Sequence, residues 1–414
     1  MENMASKKIW TEISSCRLCG STDLQDVVNL GDQPPANSLR NSLTEVVPAA
    51  PLRLVHCAAC AAAQLTATVE PEYLFSKYVW VTATSSTARE YSQYFCDEVL
   101  KRVHSSAPFV VEVASNDGTF LRRFKDRGGK ILGVDPAQNI ASEASSKGIP
   151  TLPEFFDEQI AKSIINNHGQ PDLVMARNVI PHVKEIHSII KGLATLAGTG
   201  GVAVIEFHYA KKIVDELHYD SIYHEHLFYF SLKSLTNLCA RYGLNAFDVF
   251  ASPISGGSLV LFLSASAVEQ TPQLRKMIAD EESSGLNTFK TWQKFGNDSN
   301  THAQELANLV KDYKKRGALV GYGASARSST MLNFAGICNN QIDFIIDRSS
   351  LKHGKYTPGT DIPIVSFEDG LMQTAGKNLL LLAWNFEQEV VADLRSNGFK
   401  GDIIVPLPNK ICIR

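Results

Sequence analysis

Basic residues are not in surplus in this chain. Lys and Arg number 40 against 43 Asp and Glu, which gives a formal net charge of −3 and an isoelectric point near 6.4. A general nucleic-acid binder would carry a basic excess, so no nucleic-acid partner is expected. No apolar run is long enough to cross a bilayer, and no membrane partner is expected. The first residues, Met1-Glu2-Asn3-Met4-Ala5-Ser6-Lys7-Lys8, lack the apolar core of a signal peptide, which points to a cytoplasmic protein. Short-period repeats and low-complexity tracts are also missing. What remains is the composition of an ordinary globular protein, and 414 residues predict two or three domains.

Cysteine is sparse but unevenly placed. Of eight, four form two Cys-x-x-Cys pairs, Cys16 with Cys19 and Cys57 with Cys60. Each pair can wrap one edge of a tetrahedral zinc ion on a tight turn, and Gly20 suits the first turn. Residues 20–56 between the pairs make a longer gap than a common ribbon has, so a ribbon with an inserted loop is expected. With four thiolates the site is structural. His56, beside Cys57, could replace one thiolate but is expected to be exposed. Neither pair sits at the strand-to-helix junction of a redox motif. The other four, Cys96, Cys239, Cys338 and Cys412, lie among apolar neighbours and read as inert core thiols.

The residues 110–136 carry the clearest pattern. Val110-Val111-Glu112-Val113-Ala114-Ser115-Asn116-Asp117-Gly118 is a buried strand and a tight turn. A helix-like stretch follows, then Ile131-Leu132-Gly133-Val134-Asp135-Pro136, a second strand ending in an aspartate. Such a turn brings backbone close to a nucleoside, and the aspartate can take both ribose hydroxyls. A pyrophosphate would want a glycine-rich turn without charge. Glu112 and Asn116-Asp117-Gly118 instead favour S-adenosylmethionine. The candidate cofactor residues are Glu112, Ala114, Asn116, Asp117, Gly118, Asp135 and Pro136.

Around this unit strands and helices alternate, the mark of a parallel sheet with crossover helices. A helix is expected over Ala88–His104. Strands are expected at Phe109–Val113, Ile131–Val134, Asp172–Ala176 and Val202–Phe207, with Ser258–Ser264 as a late strand antiparallel to Phe247–Phe250. From Gln270 to Arg316 the pattern is charged and helical, a connector of two helices with a break expected near Gly296-Asn297-Asp298. A second α/β unit then begins, with strands at Ala318–Tyr322, Ile342–Asp347 and Asn378–Ala383. The fold class is therefore α/β: a zinc-binding domain over 1–72, a Rossmann-like methyltransferase domain over 73–267, and a connector with a C-terminal Rossmann-like domain over 268–414.

Two stretches hold proton-transfer groups. Tyr223-His224-Glu225-His226 packs two imidazoles, a carboxylate and a phenol into four residues. On a strand, Tyr223 and Glu225 would face away from His224 and His226; on a turn that division fails. His208 and His218 lie nearby in sequence, so a second metal site is conceivable. Asn178 and His182 follow the strand Asp172–Ala176. The carboxyl end of such a strand faces the ligand crevice, so both residues can meet the group that receives the methyl.

In the C-terminal unit Gly321-x-Gly323-x-x-Ala326 opens a helix after a strand, and Asp347 ends the next strand, close to a dinucleotide motif. Arg327, Lys352 and Lys355 could serve phosphate oxygens.

In this order the motifs resemble the three-domain sugar C-methyltransferases of deoxysugar biosynthesis, over nearly the whole chain. The specific matches are the cysteine pairs, the loop Gly31-Asp32-Gln33-Pro34-Pro35-Ala36-Asn37, the Ser115-Asn116-Asp117-Gly118 turn, Asn178 to His182, Tyr223 to His226, Gly321-Tyr322-Gly323-Ala324-Ser325-Ala326 and Lys355-Tyr356-Thr357-Pro358-Gly359-Thr360. The resemblance implies methylation at C3 of a nucleotide-linked 4-keto-deoxyhexose, with S-adenosylmethionine in the middle domain and structural zinc in the first. It implies that the C-terminal domain helps to hold the nucleotide sugar and is not an NAD site. It also implies His226 as the base, with Tyr223, Glu225, Asn178 and His182 around the hexose. The chain departs from the family at Ala114 and Ala61, where glycine is usual; Ala114 fits if its backbone angles are ordinary. Competing readings are an O- or N-methyltransferase on a sugar or small metabolite, a nicotinamide-dependent sugar oxidoreductase using Gly321–Ala326, and a zinc-bearing adaptor.

Overall fold

Three larger sheets carry the molecule, beside a two-stranded antiparallel pair of Trp10–Glu12 with Ala67–Val69. The computed structural model describes residues 8–75, 86–252 and 257–414, so all but the last of the residues read for a leader lie outside it. The first sheet is a ribbon. Its long strands, Leu24–Gln33 and Ala50–Cys57, pair antiparallel around an inserted loop, as expected, and Ala63–Leu65 adds a third strand. The fourth strand, Phe228–Tyr229, comes from far along the chain and pairs with Ala63–Leu65.

The central sheet has seven strands. In spatial order they are Asn245–Ser252, Ser258–Ser264, Val202–His208, Leu173–Arg177, Phe109–Val113, Lys130–Val134 and Thr151–Leu152. The last five are mutually parallel, and Ser258–Ser264 runs antiparallel between Val202–His208 and Asn245–Ser252. Phe109–Val113 is the middle of the parallel set and is buried on both faces, which is why its sequence is an unbroken apolar run apart from Glu112. One face packs with the helices Ser86–Leu100 and Thr119–Lys125 through Phe95, Phe120, Val110 and Val204. The other face shares one continuous core with the ribbon (Leu54, Leu65) and the C-terminal sheet (Leu380, Ile404).

The C-terminal sheet runs Ile364–Val365, Ile345–Ile346, Leu319–Tyr322, Asn378–Leu381, Ile403–Val405 and Cys412–Ile413, parallel except for the last. The strand expected over Ile342–Asp347 is only Ile345–Ile346.

The connector corrects one expectation. Its helices are Pro272–Ser283 and Phe289–Arg316, so the break falls before Phe289, and the second helix runs straight through Gly296. Gly296 is there for contact: a Cβ on it would stand 1.9 Å from the Val27 carbonyl oxygen. Only glycine lets the helix lie this close to the ribbon strand. No helix among the described residues is long and apolar enough to cross a membrane.

Candidate active site

The two cysteine knuckles face each other. Cys16 Sγ lies 3.6 Å from Cys60 Sγ, Cys19 Sγ lies 3.5 Å from Cys57 Sγ, and all four sulfurs fall within 4.8 Å of one another. Thiolates on a tetrahedral zinc with bonds of about 2.3 Å stand roughly 3.8 Å apart, so the four fit that ion. Gln64 Nε2 and the Leu18 N–H donate to Cys16 Sγ at 2.9 and 3.4 Å, the outer-shell bonds such a ligand takes. No other group of His, Cys, Asp or Glu among the described residues is gathered in this way, so His208 and His218 make no second cluster. His56 corrects its expectation: it is buried against the rings of Phe289 and Trp292, and burial pushes its imidazole down to about 4.

The knuckles share one geometry. Gly20 and Ala61 each follow a pair, each donates its N–H to the carbonyl of the pair's first cysteine, and each has a left-handed φ, 78° and 59°. Glycine adopts that conformation freely, whereas alanine there costs about 1–2 kcal/mol.

The turn after Phe109–Val113 is strained in the same way. Ala114, Asn116 and Gly118 have φ of 55°, 51° and 73°. Ala114 therefore lacks the ordinary backbone angles on which an easy fit depended, and the turn is held where few residues go. A Cβ on Gly118 would meet Ile149 at 2.5 Å. Asp135 ties the turn to the next strand end: its Oδ2 accepts the Asn116 N–H at 2.9 Å and its Oδ1 the Ala137 N–H at 3.0 Å. Each oxygen keeps a second lone pair, and burial raises the acid's pKa. Pro136 stands next to it, half-buried. Asp117 accepts from the N–H and hydroxyl of Thr119 at 3.2 and 2.7 Å. Glu112 is buried, and its Oε2 meets no partner among the described residues. A buried carboxylate oxygen in that state calls for a donor, which the ammonium or hydroxyl groups of a bound S-adenosylmethionine would provide.

Tyr223 to His226 form a turn closed by the His226 N–H on the Tyr223 carbonyl at 2.8 Å. The turn removes the strand-like alternation and puts Tyr223 and His226 on one side, with Tyr223 Oη 2.8 Å from His226 Nε2. His226 Nδ1 lies 2.9 Å from the Ser221 carbonyl. A carbonyl only accepts, so Nδ1 carries the proton and Nε2 is the basic nitrogen. Burial, then the neighbouring His182, hold His226 well below its usual pKa. His182 sits on a short 3-10 turn, Ile180–His182, with its ring 4.9 Å from that of His226 and nearly perpendicular. Burial pushes it down to about 4. Asn178, φ 51°, donates its N–H to the Glu206 carbonyl at 2.7 Å.

Glu225 is buried and accepts from Asn37 Nδ2 at 2.6 Å; burial pushes it up to about 7. His224 leaves the group: its Nε2 reaches the Ala50 carbonyl of the ribbon at 3.1 Å. The turn's far end enters the ribbon sheet, where Phe228 pairs with Gln64, the residue whose side chain bonds Cys16.

At the C-terminal glycine turn, Asp347 Oδ2 accepts the Ala324 N–H at 2.8 Å and an ion pair from Lys352 at 3.1 Å. A Cβ on Gly323 would lie 2.5 Å from that of Ala383. The turn is packed on the neighbouring strand end, which weighs against the nicotinamide reading. Arg327 stands 3.8 Å from the buried Asp220, which accepts from Trp384 Nε1 at 2.7 Å.

Three residues escaped the sequence reading as site members. Asn37 was visible only as part of a loop. Arg177 and Glu206 each interrupt an apolar strand and are register partners in the sheet. A lone charge in each of two adjacent buried strands was the signal available.

The family model described as a C-methyltransferase C-terminal domain matches residues 253–408, a zinc binding domain matches 16–75, and a methyltransferase domain matches 88–249. The chain is 33% identical to the C-methyltransferase NovU of Streptomyces niveus over 408 residues, 96% of each chain. Among solved structures, a magnesium protoporphyrin IX methyltransferase from Synechocystis PCC 6803 with bound SAM aligns at a TM-score of 0.33 with 12% identity, covering 43% of this chain and 80% of that one. A SAM-dependent methyltransferase from Archaeoglobus fulgidus aligns at 0.35 with 14% identity, covering 42% and 93%.

Proposed function

Because the chain belongs to the C-methyltransferase family, we propose that it transfers the methyl group of S-adenosylmethionine to C3 of a nucleotide-linked 4-keto-deoxyhexose, by way of an enolate. The observation that carries this reading is the fixed tautomer of His226, whose Nδ1 proton is held by the Ser221 carbonyl while Nε2 faces Tyr223. A buried neutral imidazole with its lone pair aimed at a phenol is a general base with a hydrogen-bond donor beside it.

Glu112, Ala114, Asn116, Asp117, Gly118, Asp135 and Pro136 would hold the donor. When bound, S-adenosylmethionine supplies a methyl group on a cationic sulfur. Cys16, Cys19, Cys57 and Cys60 would fill all four positions of a tetrahedral zinc, and the ion would serve to shape the ribbon. The C4 ketone of the sugar acidifies the proton on C3. His226 Nε2 takes that proton, and the imidazolium formed gains from the negative charge growing beside it. Tyr223, released from Nε2, donates its hydroxyl proton to the enolate oxygen, with His182 as the second donor. Glu225, steadied by Asn37, accepts from a sugar hydroxyl, and Asn178 orients the ring. None of the eight cysteines is in a disulfide, in keeping with a cytoplasmic setting.

The test is mass spectrometry of a panel of 4-keto nucleotide sugars incubated with enzyme and S-adenosylmethionine. One substrate should gain the mass of a single methylene. With deuterium at C3 of that substrate, the product should have lost the label; a product that keeps it was methylated elsewhere, as by an O-methyltransferase.

A further inference from the structure

Three adjacent strands of the central sheet each carry one charged side chain near their carboxyl ends: Glu112, Arg177 and Glu206. Glu206 is completely buried and its oxygens are filled. Oε2 accepts from Arg177 Nε at 2.9 Å; Oε1 accepts from Ser252 Oγ at 2.7 Å and from the Tyr91 hydroxyl at 3.0 Å. These donors come from three different elements, so the carboxylate is clamped. Arg177 sits over Phe120, its Cζ 3.0 Å from the ring centre, and extends Nη1 to Glu112 Oε1 at 3.3 Å. The other oxygen of Glu112 is the buried one that meets no partner among the described residues. The Glu206 carbonyl also holds the Asn178 N–H, so the same residue touches the sugar side of the cleft.

We propose that Glu206 and Arg177 are positioning residues for the methyl donor: Glu206 fixes the guanidinium, and the guanidinium fixes Glu112 with its open oxygen toward the ammonium group of the donor's amino-acid end. This rests on the S-adenosylmethionine reading above and deepens it. Two carboxylates around one guanidinium leave an excess negative charge, which one ligand cation neutralises. The groups that face Glu112 act in opposite senses. Burial pushes its pKa up to about 7, Arg177 on the neighbouring strand pulls it down, and Asp117 in the turn and Glu206 beyond Arg177 push it up. A carboxyl near 7 binds an ammonium well only when ionised, so affinity falls as pH drops through 7.

The two partners therefore have opposite signatures. Loss of Arg177 raises the Glu112 pKa further. Neutralising Glu206 lowers it and frees Arg177 to compete for the open oxygen.

The experiment is calorimetric titration of the full-length, metal-loaded protein with S-adenosylhomocysteine between pH 6 and 8.5. The product keeps the ammonium and does not react. Arg177→Met should weaken binding about tenfold to a hundredfold at pH 7, the range of a charge-assisted hydrogen bond. It should also move the acid fall-off up by about one pH unit. Glu206→Gln should weaken binding about tenfold at pH 8 and move the fall-off to lower pH. Shifts in the same direction, or a wild-type profile in both variants, overturn the proposal. If Arg177→Met does not fold, Arg177→Lys keeps the charge without the two-pronged grip; it should weaken binding while leaving the fall-off near its wild-type position, and wild-type affinity overturns the proposal. Wild-type protein that ignores S-adenosylhomocysteine defeats the cofactor reading itself.

Discussion

The cofactor turn and the imidazole turn are built in opposite ways. In the first, the bonds that fix the backbone are short in sequence: Gly118 to Ser115, Thr119 to Asp117, and Asn116 to Asp135 across 19 residues. One strand–helix–strand unit makes it. In the second, Glu225 reaches 188 residues back to Asn37, His224 reaches 174 back to Ala50, the Ile222 carbonyl accepts from Thr330 Oγ1 across 108, and Asp220 holds Trp384 across 164. The donor site can form with one domain. The imidazole turn takes this form only when all three larger sheets are docked, so the chemistry proposed for it depends on the whole assembly, while binding at the first turn does not.

The sharpest test of that separation is His226→Asn. Turnover should fall about 10²–10⁴-fold, the usual worth of a general base, while calorimetry finds S-adenosylhomocysteine affinity unchanged. A variant that lost both together would break the comparison. Next in size is metal removal with a chelator. The strand Ala63–Leu65, a few residues past Cys60, carries Phe228–Tyr229. Turnover should drop about tenfold or more, as when a metal's supporting shell is disturbed, with cofactor affinity within about twofold of the holoprotein. Equal losses in both would mean that the ribbon also braces the cofactor turn.

Acid should separate the turns as well. Burial holds His182 and His224 at about 4 against an ordinary 6.5, and holds His226 well below 6.5. Below pH 6.5 the unfolded chain takes up protons that the folded chain refuses, so stability present above pH 6.5 is lost progressively toward pH 4. Glu225, pushed up to about 7, opposes this but is one group against three. At the cofactor turn the raised groups are carboxyls, Glu112 at about 7 and Asp135. Their contribution is full below the unfolded carboxyl pKa and is lost as pH rises through the folded one. Hydrogen-exchange protection factors at pH 5.5 should therefore fall about tenfold relative to pH 7.5 over residues 219–229 and hold over 109–118. The smallest effect lies in the zinc knuckles. Ala61→Gly removes a left-handed alanine, and the thermal midpoint should rise by the equivalent of about 1 kcal/mol, whereas Gly20→Ala should lower it by a similar amount.

How much could be read in advance follows from the same contrast. Phe109–Val113 and Ser258–Ser264 match the structure to the residue, because a strand buried on both faces is written as a continuous apolar run. The cysteine knuckles, and the turn after Phe109–Val113 as a turn, were legible because their signals are local. Asn37 was not, because its partner is 188 positions away and no spacing rule joins them. His56 looked exposed beside a metal ligand; its burial comes from the connector helix laid over it, which the ribbon's own sequence does not show. Ala114 and Ala61 read as mild departures because their backbone angles, not their side chains, are what differ from ordinary residues.

Gly296 has a mechanical corollary. The helix that carries it spans 28 residues, a rigid bar of roughly 40 Å, seated against the Val27 carbonyl without a side chain between. The bar then runs directly into the first strand of the C-terminal sheet. Swinging that sheet away from the imidazoles would pry the bar off the ribbon and strip its apolar seat. The C-terminal sheet is thus held at a fixed spacing from the imidazoles unless that seat is given up.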